Sequence, residues 1–162
     1  MKIAQMSLDE IDYRILACLQ GNARISNSDL AQEIGLSPSP CLRRVRDLEK
    51  SGAIKGYATL LEPSVVGLPV SVFVQVTLER QVEHALEDFE RTVLARPEVM
   101  ECYLMTGDAD YLMRIVVADV TAYEIFLKEH LTRAPGVASI NSSFALNQVK
   151  YGTALPLPKA AS

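Results

Sequence analysis

The segment Ser26–Gly52 places the strongest constraint on how this chain folds. It reads S-N-S-D-L-A-Q-E-I-G-L-S-P-S-P-C-L-R-R-V-R-D-L-E-K-S-G, with a glycine-containing turn at residues 34–36 between two helical patterns. Ser37 and Pro38 favour a helix start, because serine accepts a bond from a free backbone N–H and proline fits the first turn. The segment therefore predicts two short helices joined by a tight turn.

The second of these helices has two unlike sides. At about 100° per residue, one side collects apolar residues: Cys41, Leu42, Val45 and Leu48. Arg43 projects opposite this seam, with Ser39 and Arg46 on one flank and Arg44 on the other. A buried seam backed by a basic face is what a helix lying in the major groove of DNA requires. An amphipathic helix with a solvated basic face is the alternative.

Charge is distributed unevenly along the 162 residues. The net charge is −4, but residues 1–62 carry eight Lys/Arg and eight Asp/Glu, and residues 63–162 carry eight and twelve. Residues 41–55 contain five basic and two acidic side chains. Because screening confines the field of phosphates to about 8–10 Å, this local excess matters more than the total. One such patch binds weakly, so we expect several copies to act together.

The first 62 residues are predicted to form a DNA-binding domain. A capping box at Ser7–Glu10 opens a first helix that ends near Gly21, and the two helices of the Ser26–Gly52 segment follow. Alternation at residues 54–61 suggests a short linker strand, so the unit is a three-helix, winged helix-turn-helix domain. The breaks around Pro63 and Pro69 mark the hinge to the rest of the chain.

The remainder, residues 63–151, is predicted to form a ferredoxin-like domain, followed by a loose tail at 152–162. Strict alternation makes Val70–Leu78 a half-buried strand. A β-α-β-β-α-β order follows from the other patterns: a helix at Arg80–Arg96, strands at Val99–Thr106 and Tyr111–Val117, a helix capped by Asp119 or Thr121, and a strand at Val137–Val149. The fold class is therefore α+β.

The sheet of this second domain needs a cover on its outer face. Phe73, Gln75 and Thr77 alternate with the valines of the first strand, so the outer face is partly apolar. We expect a second copy of the sheet to pack there, which makes the protein a dimer.

Several classes of function are disfavoured. The three cysteines, Cys18, Cys41 and Cys102, fit reduced core thiols and have no zinc spacing. The chain has no apolar run long enough to span a membrane and no signal-peptide core, so we expect a cytoplasmic protein. His84 and His130 lie in separate helical patterns, and no catalytic or phosphate-loop motif is present. We expect neither an enzyme nor a metal or cofactor site.

Two runs resemble the Lrp/AsnC (feast/famine) transcriptional regulators. They are L-S-P-S-P-C-L-R-R-V-R-D-L-E-K-S-G-A-I-K-G-Y (Leu36–Tyr57) and T-G-D-A-D-Y-L (Thr106–Leu112). The P-G-V motif at Pro135–Val137 and the Arg-bearing helix are closer to the leucine-responsive branch. The resemblance implies a regulator of amino-acid metabolism, with a DNA-binding domain and an amino-acid-sensing domain that forms dimers and often octamers.

The resemblance also implies an amino-acid effector, leucine or methionine by analogy, bound between dimers beside the Gly-Asp-x-Asp-Tyr turn. Asp108 and Asp110 would accept from its ammonium group, and backbone N–H groups around Gly107 would donate to its carboxylate. The candidate residues are Thr106, Gly107, Asp108, Asp110, Tyr111 and Phe144. Of these, Tyr111 and Phe144 fit packing roles better than ligand contacts. A hairpin turn without a ligand is the alternative.

On the DNA side, Arg43 is the first candidate for a base-edge contact, with Ser39 and Pro40 beside it. The remaining candidates are expected to contact the phosphate backbone or the helix start: Ser26, Asn27, Ser37, Arg44 and Arg46. The rival interpretation is a stand-alone amino-acid sensor or protein-interaction module whose helices do not bind DNA.

Overall fold

The computed structural model describes residues 7–80 and 82–158. The chain forms two compact units, one of Met1–Thr59 together with Lys150–Ser162 and one of Leu60–Val149. The division thus falls close to the hinge expected from the sequence. The C-terminal tail, however, belongs to the first unit. No helix in the described ranges is both long and apolar enough to cross a bilayer.

The first unit is built on three helices, as predicted: α1 (Glu10–Gly21), α2 (Asn27–Ile34) and α3 (Pro38–Lys50). Each helix contributes apolar side chains to one buried cluster: Ile15, Leu30, Ala31, Ile34, Cys41 and Leu48. Gly35 ends α2 with φ of 74°, a left-handed conformation that glycine adopts without strain. This turn sets the direction in which α3 begins.

The helix starts differ in detail from the prediction. The capping box of α1 is formed by Asp9 and Asp12, not by Ser7 and Glu10: the Asp12 N–H donates to Asp9 Oδ1 at 2.8 Å, and the Asp9 N–H donates to Asp12 Oδ2 at 3.1 Å. Ser37 does occupy the N-cap position of α3, but its side chain makes no capping bond. Both Ser7 and Asp9 suit a cap chemically, so the local sequence did not distinguish them.

The strand predicted at residues 54–61 is not formed. The chain there runs as turn and irregular structure, held to α3 by the Ile54 N–H donating to Leu48 O (3.1 Å) and the Tyr57 hydroxyl donating to Glu49 Oε1 (3.0 Å). A strand needs a neighbour for its backbone groups. None of the described segments provides one here.

The tail, predicted to be loose, bonds to α1. The Leu155 N–H donates to Gln20 Oε1 at 2.6 Å, and Gln20 Nε2 donates to Leu155 O at 3.2 Å. The side-chain amide of Gln20 therefore bonds to both the N–H and the carbonyl oxygen of Leu155, as the backbone of a neighbouring strand would. The end of the predicted tail, residues 159–162, lies outside the described residues.

The second unit is the predicted ferredoxin-like β-α-β-β-α-β fold. Its elements are β1 (Val70–Leu78), α4 (Glu83–Leu94), β2 (Val99–Leu104), β3 (Tyr111–Val117), α5 (Val120–Phe126) with a π-helical turn (Leu127–Leu131), and β4 (Val137–Phe144). The strands form one antiparallel sheet in the order β2-β3-β1-β4. Asp119 caps α5, accepting from the Ala122 N–H at 2.7 Å.

Three elements are shorter than predicted. β2 ends at Leu104, β4 ends at Phe144, and α4 spans Glu83–Leu94 instead of Arg80–Arg96. Val82, the residue before α4, has an extended backbone and no side chain that could cap a helix earlier. Gln81, within the predicted helix, lies outside the described residues.

The two faces of the sheet differ as the alternation predicted. Val72, Val74 and Val76 are fully buried in one cluster with side chains of α4 and α5, so both helices cover the same face. On the other face, Phe73 is 41% exposed and Gln75 is exposed. This outer face is open in the single chain.

The three cysteines are free, as predicted. Burial raises the pKa of the Cys41 thiol. Burial, with a smaller effect of the Glu90 charge, raises the pKa of Cys102 to about 11. These shifts keep both thiols protonated at neutral pH and disfavour reactive-thiol chemistry.

Candidate functional site

The exposed side of α3 is the first candidate site. Six side chains line a shallow hollow of about 360 Å³: Ser39, Leu42, Arg43, Arg46, Asp47 and Lys50. They recur at helical spacing, so they form one continuous strip along the helix. Three carry positive charge and one carries negative charge. Neither Arg43 nor Arg46 pairs with a described acidic residue. A strip of this kind can bind a polyanion.

Leu42 belongs to this strip and not to the buried seam in which the sequence placed it. It is 37% exposed, while Cys41 and Leu48 are fully buried and Val45 packs against the core. At about 100° per residue, Leu42 lies at the edge of the apolar arc, where a small rotation of the helix decides burial.

Arg44 has two protein partners that the sequence did not indicate. Its Nη1 lies 2.8 Å from Asp9 Oδ2 and 2.8 Å from Asp12 Oδ1. The Arg44 side chain is 30% exposed and that of Asp12 only 7%. The hydrogen bonds that Arg44 donates to Asp12 and Asp9 raise the pKa of Arg44. The guanidinium of Arg44 therefore joins α3 to the start of α1, and these ion pairs make it less suited to a phosphate contact than Arg43 or Arg46.

Asn27 also connects helices. Its Nδ2 donates to the carbonyl oxygen of Pro38 at 2.9 Å, which fixes the first turn of α3 against α2. The buried Oδ1 of Asn27 has no partner among the described residues. The neighbouring Ser26 hydroxyl accepts from the Asp29 N–H at 3.1 Å and donates to Asp29 Oδ2 at 2.7 Å. Both side chains thus have structural bonds at the start of α2.

Ser37 and Pro40 complete the predicted DNA set. The Ser37 side chain is exposed and makes no capping bond, so its hydroxyl can donate to a phosphate. Pro40 is half-buried within the first turn of α3. With Ser39, these residues form the start of α3, so the positive end of the α3 dipole lies at the surface.

A second candidate site lies on the open face of the sheet, beside the loop that joins β2 to β3. A cavity of about 350 Å³ is lined there by Gln75, Thr77, Met105, Thr106, Asp108, Ala109, Tyr111, Leu112, Ser139 and Asn141. This volume is in the range of small-molecule sites. The cavity combines one carboxylate, several hydroxyl and amide groups and three apolar side chains, which suits a small zwitterion.

The two aspartates of the loop have different roles. Asp108 is exposed and lines the cavity. Asp110 is 5% exposed, and its Oδ2 accepts from the Leu78 N–H at 2.7 Å, so it holds the end of β1. Gly107 lies between β2 and β3 with φ of 135°, a conformation that favours glycine. Asp108 is therefore the better candidate for an ammonium contact.

The two predicted aromatic residues pack, as the sequence suggested. Tyr111 is 1% exposed; its hydroxyl donates to Glu90 Oε1 at 2.9 Å, and its ring centroid lies 4.7 Å from that of Phe89. Tyr111 still forms part of the cavity wall. Phe144 lies at the far end of β4, edge-on to Tyr123 at 5.4 Å, and does not line the cavity.

Sequence reasoning missed the strand residues of the cavity wall. Gln75, Thr77, Ser139 and Asn141 are polar positions of two separate strands. They meet because β1 pairs with β4, with Gln75 opposite Asn141 and Thr77 opposite Ser139. Alternation along one strand identifies the outer face, but the register between the strands is required to find these neighbours.

Each unit matches a known domain family. Residues 8–55 match the winged helix-turn-helix DNA-binding family, and residues 71–155 match the Lrp/AsnC ligand-binding domain. The second match alone spans more than half of the chain. The chain belongs to the Lrp/AsnC family.

Lrp/AsnC relatives match almost end to end. The Bkd operon transcriptional regulator of Pseudomonas aeruginosa is 49% identical over 150 residues, covering 93% of this chain and 98% of that protein. The leucine-responsive regulatory protein of Escherichia coli K12 is 43% identical over 148 residues, covering 91% and 90%.

Among solved structures, a transcriptional regulator from Neisseria meningitidis in complex with L-Met has a TM-score of 0.87 at 41% identity, covering 93% of this chain and 97% of that one.

The protein is therefore an Lrp/AsnC-type DNA-binding transcriptional regulator with a ligand-binding domain. The family consists of transcriptional regulators and not of enzymes, as the sequence analysis expected. The rival interpretation, a sensor whose helices do not bind DNA, is set aside.

Proposed function

We propose that the protein recognises specific operators through the exposed strip of α3 and that an amino acid bound in the sheet cavity modulates this binding. In this proposal Arg43 contacts a base edge and Arg46 contacts phosphates, with Ser37, Ser39 and Pro40 at the helix start beside them. Ser26 and Asn27 are retained at the start of α2, where Asn27 also positions α3.

The observation that carries the DNA part is the difference between neighbouring arginines. Arg44 is held by two carboxylates, whereas Arg43 and Arg46 lie exposed on one strip without an ion pair to any described side chain. An arginine fork without a protein partner can bind guanine bidentately or neutralise a phosphate. Arg44 thus orients α3, and Arg43 and Arg46 remain exposed on its surface.

Two substitutions test these roles. Arg43→Ala should lose operator discrimination by roughly 1–3 kcal/mol, because a base-edge contact distinguishes sequences. Arg46→Ala should weaken binding to operator and random DNA alike and reduce the salt dependence of binding. Fluorescence anisotropy with an operator and a scrambled duplex at several salt concentrations measures both quantities. Wild-type affinity in both variants would contradict the proposed surface.

We further propose that the effector is a small amino acid, with leucine or methionine favoured. The leucine-responsive relatives and the L-Met complex of the Neisseria regulator support this choice. In the cavity, the Asp108 carboxylate would accept from the ammonium group, and Met105 with Leu112 would contact an aliphatic side chain. A regulator of this kind would act in the cytoplasm on genes of amino-acid metabolism.

A thermal-shift screen of the twenty amino acids tests the effector. Leucine or methionine should raise the unfolding temperature of the wild type, and Asp108→Ala should abolish that rise, since the ammonium would lose its acceptor. Asp47→Ala, in the other unit, is the control and should keep the rise. A ligand response in Asp108→Ala equal to that of the wild type would reject Asp108 as a contact.

The proposed assembly is a dimer through the part of the open sheet face around Phe73, with dimers associating to an octamer so that the cavity beside the loop from β2 to β3 lies between dimers. The exposed Phe73 and Tyr103, at 41% and 52%, support the pairing of two sheets. Phe73→Glu should disrupt the dimer, because it would bring two carboxylates into the contact between the sheets. Analytical ultracentrifugation of the wild type and this variant measures the outcome. A single monomeric species for the wild type would contradict the proposal.

A further inference from the structure

Leu42 is the apolar member of an otherwise polar and charged strip. It is 37% exposed and lines the same hollow as Arg43 and Arg46. It is more exposed than Val45, three positions on, which packs against the core of the first unit. More than a third of Leu42 therefore remains open to contact with a partner.

The position of Leu42 along and around α3 places it where bases would be. It lies in the first half of Pro38–Lys50, and recognition helices present their N-terminal residues to base edges. At 100° per residue, Leu42 lies about 40° around the helix from Arg46 and about 100° from Arg43. A groove that receives these two arginines must also cover Leu42.

Only one apolar group is available to such a side chain in the major groove. Base edges there present nitrogen and oxygen donors and acceptors, and thymine alone adds a C5-methyl group. Leucine has no donor or acceptor, so it can distinguish bases only through that methyl group.

From these observations we infer that Leu42 is a specificity-determining residue that packs on the C5-methyl group of an operator thymine. This inference rests on the proposed docking of the α3 strip in the major groove. It adds to that proposal the prediction that one position of each half-site is a thymine. An arginine contact alone would specify only a guanine.

Deoxyuridine provides the test, because it pairs as thymidine does but lacks the methyl group. An operator is first selected by the wild-type protein from a random duplex pool, and each of its thymines is then replaced singly. The wild-type Kd should weaken about three- to fivefold at one thymine per half-site, as expected for one methylene-equivalent of burial. In Leu42→Ala the same replacement should change the Kd by less than about 1.5-fold.

Two further variants are matched controls. Leu42→Met keeps an apolar side chain of similar size and should retain the uracil penalty. Arg46→Ala should bind both duplexes more weakly but also retain it, because a phosphate contact is independent of the methyl group. Circular dichroism melting confirms that each variant is folded.

The possible outcomes test the role of Leu42 separately from the proposed DNA-binding surface of α3. A wild-type protein that selects an operator but shows no penalty at any thymine would overturn the role of Leu42 and leave the DNA-binding surface intact. The same penalty in Leu42→Ala as in the wild type would also overturn it. A wild-type protein that selects no duplex would overturn the proposed surface, and the inference with it.

Discussion

Replacing Arg44 by methionine should destabilise the first unit without removing a DNA contact. Arg44 Nη1 is 2.8 Å from one oxygen of Asp9 and 2.8 Å from one of Asp12, whose side chains are 51% and 7% exposed. Exposed pairs contribute about 0.2–1 kcal/mol, whereas breaking a buried pair costs about 3–5 kcal/mol. Asp9 is the exposed partner, Asp12 is the buried partner, and Arg44 itself is partly exposed. We therefore expect the free energy of unfolding to fall by about 2 kcal/mol.

Differential scanning calorimetry measures the effect. For a unit of this size, about 2 kcal/mol corresponds to a fall of about 10 °C in Tm. The salt slope of DNA affinity at a temperature where the variant is folded should equal that of the wild type, because no phosphate contact is lost.

Arg46→Met is the matched control for this prediction. Its guanidinium is exposed and makes no ion pair with a described side chain, so Tm should change little while the slope falls by about 0.9, the value for one phosphate. If Arg44→Met instead kept the wild-type Tm and reduced the slope, the structural role of Arg44 would be refuted.

The remaining predictions concern stability. Asp110→Ala should lower the unfolding free energy by about 1–3 kcal/mol, because the buried Leu78 N–H loses its acceptor; urea denaturation measures this. Gln20→Ala should lower it by about 1 kcal/mol, since the two bonds to Leu155 are lost, and the tail should become more sensitive to proteases. The Asp12 N–H, which bonds to Asp9, is the main cause that holds the pKa of Asp9 below its usual value. The stability contributed by Asp9 should be complete above about pH 4 and be lost as the pH falls further, and pH-dependent melting of the wild type and Asp9→Asn should converge at low pH.

The sequence predicted well those elements whose pattern is strong and local. β1 and β3 have the predicted bounds because their alternation is strict and they lie at the centre of the sheet. α2 and α3 are bounded by Ser26, Gly35 and Pro38, residues with specific roles at helix ends.

What depends on distant partners was not predictable in this way. The carboxylates that hold Arg44 lie at the start of another helix, and nothing within α3 separates Arg44 from Arg43 and Arg46. Residues 54–61 alternate like a strand, but no described segment pairs with them. The cavity wall depends on the register of β1 with β4.

The bond between Gln20 and Leu155 has a practical consequence for anyone labelling this protein. In sequence, Leu155 follows the last strand of the ligand-binding unit, yet it belongs to the compact unit that binds DNA. A fluorophore at position 155 would therefore be attached to the unit that binds DNA, and a fluorophore at Ser143 to the ligand-binding unit. A dye pair at these two positions, only a short stretch of chain apart, would therefore place one label on each compact unit.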